Sequence, residues 1–177
     1  MRGYFAIGIE RASKAGNVGN LIRTAHGFGA AFVFTIGAHY GRMSQSSDTA
    51  KSDAALPFYE YATLHDLALP RHCRLVAVEL VEDAVDLPAF HHPLQAAYIL
   101  GGERLSVSEA TLARCDHVVK IPTRFSLNVA TAGAIVMYDR LRMLGRWPDR
   151  AMSSLAPPGK APPHAYGGPR QRRQAKD

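Results

Sequence analysis

Three short segments carry polar residues and glycines where chemistry could be done, and each adjoins an apolar run. The fullest is Lys120-Ile121-Pro122-Thr123-Arg124-Phe125-Ser126-Leu127-Asn128-Val129-Ala130. A short strand ends in Ile-Pro, a polar turn follows, and Ser-Leu-Asn opens a long helix. Pro122 removes a backbone donor and fixes its own φ, while Ser126 and Asn128 are polar residues of the kind that begin helices. The junction gathers backbone N–H groups, a hydroxyl and an amide at the C-terminal edge of a sheet, where ligands of open α/β folds bind. The second segment, Leu100-Gly101-Gly102-Glu103-Arg104, also leaves a strand. Its glycines can shape a tight loop, and Glu103 can accept hydrogen bonds from a ligand or orient Arg23. It is not a GxGxxG and lacks the Lys-Ser/Thr of a phosphate loop. The third is Asn17-Val18-Gly19-Asn20-Leu21-Ile22-Arg23. Asn17 is placed to cap a helix, Gly16 and Gly19 allow close backbone approach, and Arg23 suits a phosphate or carboxylate. Singly, each segment also has an ordinary explanation: a cap, a strand-ending turn, a surface ion pair.

The elements that must position these segments alternate along the chain. Tyr4–Glu10 and Ala31–Ile36 read as strands, with a helix between them marked by Val18, Leu21, Ile22, Ala25 and Phe28 and closed by Gly29. A polar stretch over 41–52 leads to a short helix near Asp48–Ala54. Phe58–Tyr61, Arg74–Leu80, Ala96–Gly101 and His117–Ile121 are further strands, and Leu64–Leu67 is a helical turn. Ser106-Val107-Ser108-Glu109 has the spacing of a capping box ahead of a helix reaching Arg114. The longest helix runs from Leu127 to Leu144 and stops at Gly145. Alternating strands and helices predict an α/β fold, a mostly parallel sheet flanked by helices on both faces.

Composition sets the outer bounds. The chain has 177 residues and is 47% apolar, enough for one domain with a real core. No apolar run spans a bilayer, and no signal-peptide core precedes the first strand, so a soluble cytoplasmic protein without a membrane role is expected. Cys73 and Cys115 form no CxxC and read as reduced thiols. The eight histidines, including the pair His91-His92, show no ligand spacing. The formal net charge is +6 and suits a polyanionic partner, nucleic acid first. Much of the excess lies in residues 151–177, where five Lys or Arg face only Asp177. That stretch is rich in Pro and Gly and poor in large apolar side chains, so it reads as a flexible basic tail behind a folded domain over residues 1–150.

In order and spacing, the three segments resemble the motifs of the SpoU/TrmH branch of the SPOUT RNA methyltransferases. The first motif is Asn17, Gly19 and Arg23, followed by Phe28-Gly29-Ala30. The second is Leu100-Gly101-Gly102-Glu103. The third is Ile121-Pro122 with Ser126-Leu127-Asn128-Val129. The resemblance covers about residues 4–145.

It implies a sheet whose C-terminal part is tied in a deep trefoil knot (the SPOUT, or alpha-beta knot, fold), an exception to ordinary chain topology. It also implies S-adenosylmethionine as cofactor, a homodimer with a composite site, no metal, and methyl transfer to a ribose 2′-hydroxyl of tRNA or rRNA. Carried over by position, Gly101, Ile121 and Leu127 would hold the cofactor through backbone groups, with Leu100 and Pro122 beside them and Glu79 lining the first knot loop. Arg23 would act on the ribose, and Asn17, Glu103, Ser126 and Asn128 would complete the catalytic set. An arginine resists deprotonation, so its expected task is to position the adjacent phosphate and stabilise developing alkoxide.

This chain departs from the family pattern at three places. Ser106 stands where a glycine is usual, the turn Thr123-Arg124-Phe125 is shorter than in many relatives, and Ser52-Asp53-Ala54-Ala55 lacks a glycine. An N-terminal RNA-binding domain like that of many relatives is not expected ahead of the first strand, so RNA choice would come from the core dimer and the tail. A catalytically inactive knotted RNA-binding protein is the alternative reading.

Overall fold

The computed structural model describes residues 3–39 and 56–145. They form a seven-stranded sheet in which every neighbouring pair is parallel. In chain order the strands are β1 (Tyr4–Glu10), β2 (Phe32–Ile36), β3 (Phe58–Tyr61), β4 (Arg74–Val78), β5 (Val85–Asp86), β6 (Gln95–Gly101) and β7 (His117–Lys120). The spatial order is β3-β2-β1-β6-β4-β7-β5. The helices are α1 (Ala15–Gly27), α2 (Glu109–Arg114) and α3 (Val129–Leu144).

The central strands are buried nearly throughout, as parallel strands covered on both faces must be. In β1, Phe5, Ile7 and Ile9 join Leu21, Ile22, Val136 and Met137 in one core. Ala6 joins Phe34, Leu75, Ala77 and Ile99 in the other, with Leu112 of α2 against it. Helices α1 and α3 thus share one face and α2 takes the opposite one. Gly133 makes the α1–α3 approach possible, because a Cβ there would lie 2.5 Å from Leu21 Cδ1.

The buried Arg140 of α3 seals the far edge of the sheet. It donates to the main-chain oxygens of Tyr4, Pro93 and Leu94 and to the Tyr98 hydroxyl, and its guanidinium lies over the Phe5 and Tyr98 rings.

The expected alternation is present, with shifted ends. Helix α1 begins at Ala15, so Asn17 lies inside its first turn and is not the cap. Its C-terminus closes as expected at Gly29, whose φ of +73° accompanies the bonds Gly29 N–H to His26 and Ala30 N–H to Ala25. The cap of α2 is Ser108, two residues past the start of the expected box, and Ser108 Oγ accepts from Thr111 N–H. Helix α3 starts at Val129, with Asn128 as its cap. The two-residue strand β5 and the 3₁₀ turn Leu87–Ala89 lie where the sequence pattern shows neither.

Cys73 and Cys115 are free, and burial pushes the Cys115 thiol up to about 12. The expected helix near Asp48–Ala54, the segment Ser52–Ala55 and the basic tail lie outside the described residues. Among those described, no helix is long and apolar enough to cross a membrane, and no group of His, Cys, Asp or Glu is arranged to hold a metal ion.

Candidate active site at the C-terminal edge of the sheet

Because the strands run parallel, the segments leaving β1, β4, β6 and β7 emerge at one edge. The direction of strand order reverses between β1 and β6, the place where open α/β sheets bind ligands. A cleft of about 470 Å³ lies there, within the range of small-molecule sites.

The loop after β6 is held by close backbone contact. A Cβ on Gly101 would meet Leu105 O at 2.6 Å, and one on Gly102 would meet Arg11 O at 2.4 Å. Only glycine fits either position without moving the backbone. Arg11 takes a left-handed φ of 55°, uncommon outside glycine, and donates from Nη2 to Ser106 O over 2.6 Å. On the other side of the loop, Glu79 accepts from Val107 N–H at 2.7 Å and from its neighbour Leu80 N–H at 2.9 Å. Deeper, Glu10 accepts from Ser108 N–H, Ser108 Oγ and Thr111 Oγ1, which fixes the start of α2.

Glu103 ties this loop to α1. It accepts from Ser13 N–H at 2.9 Å, Ser13 Oγ at 2.7 Å and Asn17 Nδ2 at 2.8 Å. Burial alone would raise its pKa, but the Ser13 and Asn17 donors outweigh that and bring it down to about 2. Asn17 Oδ1 accepts in turn from Asn128 Nδ2 at 3.1 Å. Asn128 Oδ1 caps α3 by accepting from Ala130 and Thr131 N–H groups. A line of side-chain bonds therefore runs from the β6 loop through α1 to the start of α3.

Of the residues expected from sequence to form the site, Asn17, Glu103, Ser126 and Asn128 line the cleft together with Glu79, Leu100, Gly101, Ile121 and Leu127. Two do not. Pro122 is exposed beside Ile121, outside the lining. Arg23 is exposed on α1 and also outside it, because six residues of helix place it about 120° around the axis from Asn17. The expected close approach at Gly16 is absent, since a Cβ there would meet nothing within 4 Å.

Sequence reasoning missed Ser13 and Arg11. A serine just before a helix is a start signal, which could have drawn notice to Ser13. Arg11 has no comparable mark, since its role rests on a left-handed backbone and a bond across 95 residues.

Comparison with known proteins agrees with the motifs. The model of the SpoU rRNA methylase family matches residues 4–138. An uncharacterized tRNA/rRNA methyltransferase of Archaeoglobus fulgidus is 32% identical over 147 residues, covering 79% of this chain and 65% of that protein. The tRNA (guanosine(18)-2′-O)-methyltransferase of Escherichia coli K12 is 25% identical over 140 residues, covering 76% and 61%. The chain thus spans somewhat less than two thirds of these curated relatives. Among solved structures, the SpoU methyltransferase AviRb from Streptomyces viridochromogenes superposes with a TM-score of 0.72 at 24% identity, covering 82% of this chain and 62% of that one.

Proposed function

The chain belongs to the SpoU rRNA methylase family, and on that premise we propose that it is an S-adenosylmethionine-dependent RNA methyltransferase acting on a ribose 2′-hydroxyl of tRNA or rRNA. The observation that carries this reading is the hydrogen-bonded line Glu103–Asn17–Asn128, which draws the three motif segments into one cleft wall.

The cofactor fits that wall by its chemistry. Leu80, Leu100, Leu105, Ile121 and Leu127 offer apolar surface for an adenine, and the carboxyl groups of Glu79 and Glu103 suit a cationic sulfonium and ammonium. Backbone groups of Gly101, Ile121 and Leu127 would hold it, with Pro122 stiffening the strand exit. Bound there, the cofactor would supply an electrophilic methyl to the 2′-oxygen, with S-adenosylhomocysteine as the leaving group and the hydroxyl proton passing to solvent. The protein's task is mainly alignment.

Glu103, held near 2, is a poor proton acceptor at neutral pH and serves by orienting Asn17. Ser126 and Asn128 sit where the turn after β7 meets the cleft. Arg23, exposed on α1, is assigned to a composite site in a homodimer, where it faces the cleft of the second copy, positions a substrate phosphate and stabilises developing alkoxide. The proposal includes the family's deep trefoil knot in the C-terminal part of the sheet, a catalytic domain over residues 1–150 followed by a Pro/Gly-rich basic tail over 151–177, and action in the cytoplasm.

Isothermal calorimetry with S-adenosylmethionine, followed by methyl transfer to RNA from a strain lacking the gene, tests the reading. Binding and transfer are expected. No heat of binding at millimolar cofactor would overturn the enzyme in favour of a silent RNA-binding protein. Mapping 2′-O-methylation in the deletion strain then names the nucleotide.

A further inference from the structure

We infer that Phe125 is a positioning residue for RNA, stacking its ring on an unpaired nucleobase beside the target ribose at the mouth of the cleft. This rests on the methyltransferase reading above and goes beyond it by assigning a base contact to the shortened turn.

Phe125 is 74% exposed, the most exposed of the large apolar side chains described. Single exposed apolar residues are common; what separates this one is how its backbone is held. Thr123 N–H donates to Ile121 O at 2.7 Å, and Thr123 Oγ1 donates to Phe125 O at 2.9 Å. The turn is thus closed on itself where β7 ends. Three residues later Asn128 is bonded both to Asn17 and to the first turn of α3. Thr123 and Ser126, on either side of the ring, both line the cleft. The ring therefore projects into solvent from a short, anchored segment at the edge of the site.

The chemistry around it favours a nucleic acid. Arg124, next in the turn, is exposed, and Lys14 and Arg104 line the same cleft. An aromatic face flanked by cations that can meet phosphates is how single-stranded nucleic acid is held. A 2′-hydroxyl must be presented to a fixed methyl, so holding the neighbouring base removes the main rotation that would misplace it.

The test uses Phe125→Ala, Leu, Tyr and Trp in the full chain. Binding of a fluorescein-labelled oligoribonucleotide of cytidine and adenosine is read by anisotropy, methyl transfer with RNA from the deletion strain, cofactor affinity by calorimetry, and molar mass by sedimentation. Stacking predicts that Ala and Leu weaken oligonucleotide binding and raise KM by about tenfold, while Tyr and Trp stay near the parent and cofactor affinity is unchanged. Restoration by Leu, or no effect of Ala, overturns the inference. Loss of mass on Phe125→Ala also overturns it and assigns the ring to a contact between copies. If the parent chain neither binds cofactor nor transfers methyl, the enzyme reading fails, and oligonucleotide binding alone decides whether Phe125 stacks on bases.

Discussion

Asn128 donates from Nδ2 to Oδ1 of Asn17 over 3.1 Å, although 111 residues separate the two in the chain. Each amide has its other end committed, Asn128 to the N–H groups opening α3 and Asn17 to Glu103. The orientation of both side chains is therefore fixed by the network, and a change at Glu103 is felt at the start of α3.

Glu103→Gln keeps the shape of this link and removes its charge. Stability at neutral pH is expected to fall by about 1–2 kcal/mol, because the bonds from Ser13 and Asn17 lose their charge assistance. Glu103 is held at about 2, below its ordinary 4.5. A depressed carboxyl contributes stability above its unfolded value and loses it as pH falls from about 4.5 towards 2. Urea denaturation of both proteins at pH 7 and pH 3 should show the difference shrinking in acid. A constant difference would mean the charge is not the cause.

The glycines of the β6 loop make a second, opposite pair of expectations. Gly101→Ala and Gly102→Ala put a methyl 2.6 and 2.4 Å from main-chain oxygens. Each should cost about 1–3 kcal/mol and weaken S-adenosylmethionine binding tenfold or more as the loop moves. Gly16→Ala meets open space inside the first turn of α1 and should stabilise by up to about 1 kcal/mol with unchanged cofactor affinity. Thermal melts with calorimetry distinguish the three, and an unaffected Gly102→Ala would show that the loop yields.

A buried histidine sets the behaviour of the opposite edge in mild acid. His92 lies between the Tyr98 hydroxyl at 2.6 Å and Asp139 at 3.1 Å, with Arg140 also bonded to Tyr98. Burial lowers its affinity for a proton, and the nearby Arg140 adds to this against the pull of Asp139. The unfolded chain therefore takes up a proton before the folded one does. Stability should be level above about pH 6.5 and decline as pH falls below it. Denaturation midpoints between pH 8 and 5 measure this, and His92→Gln should flatten the profile.

The legibility of the chain in sequence follows from how local each cause is. Buried runs such as Phe32–Ile36 announce strands because both faces of a parallel sheet select apolar residues. β5 could not be seen, since Val85 and Asp86 are exposed and owe their pairing to β7 alone. Asn17 looks like a cap by residue type, but Glu103 claims its amide, and that partner lies 86 residues away. Ser106 carries the capping-box spacing to Glu109, yet Glu10, reaching across from β1, selects Ser108. The motif segments were readable as separate marks, whereas their convergence depended on contacts spanning most of the chain.

If residues 151–177 bind RNA, removing them takes away five cations. The logarithmic salt dependence of RNA binding should then flatten by about 0.7–0.9 for each phosphate released. Fluorescence anisotropy across a salt series measures the slope. An unchanged slope would assign RNA binding to the remaining chain.

The assignment of Arg23 to a second copy has a sharp test, because the residue lies outside the cleft that contains Asn17 and Glu103. Arg23→Lys should lower methyl transfer by tenfold or more, since a point charge replaces the planar fork, and leave cofactor affinity unchanged. Arg23→Ala and Gly102→Ala should each be nearly inactive alone. Mixed after unfolding and refolding together, they should recover about a quarter of parental activity, because half the dimers are then mixed and each of these holds one intact site. No recovery in a mixture shown by mass spectrometry to contain mixed dimers would place Arg23 and the loop in the same chain's site. It would also require α1 to turn, since six residues of helix now separate Arg23 from the wall that Asn17 forms.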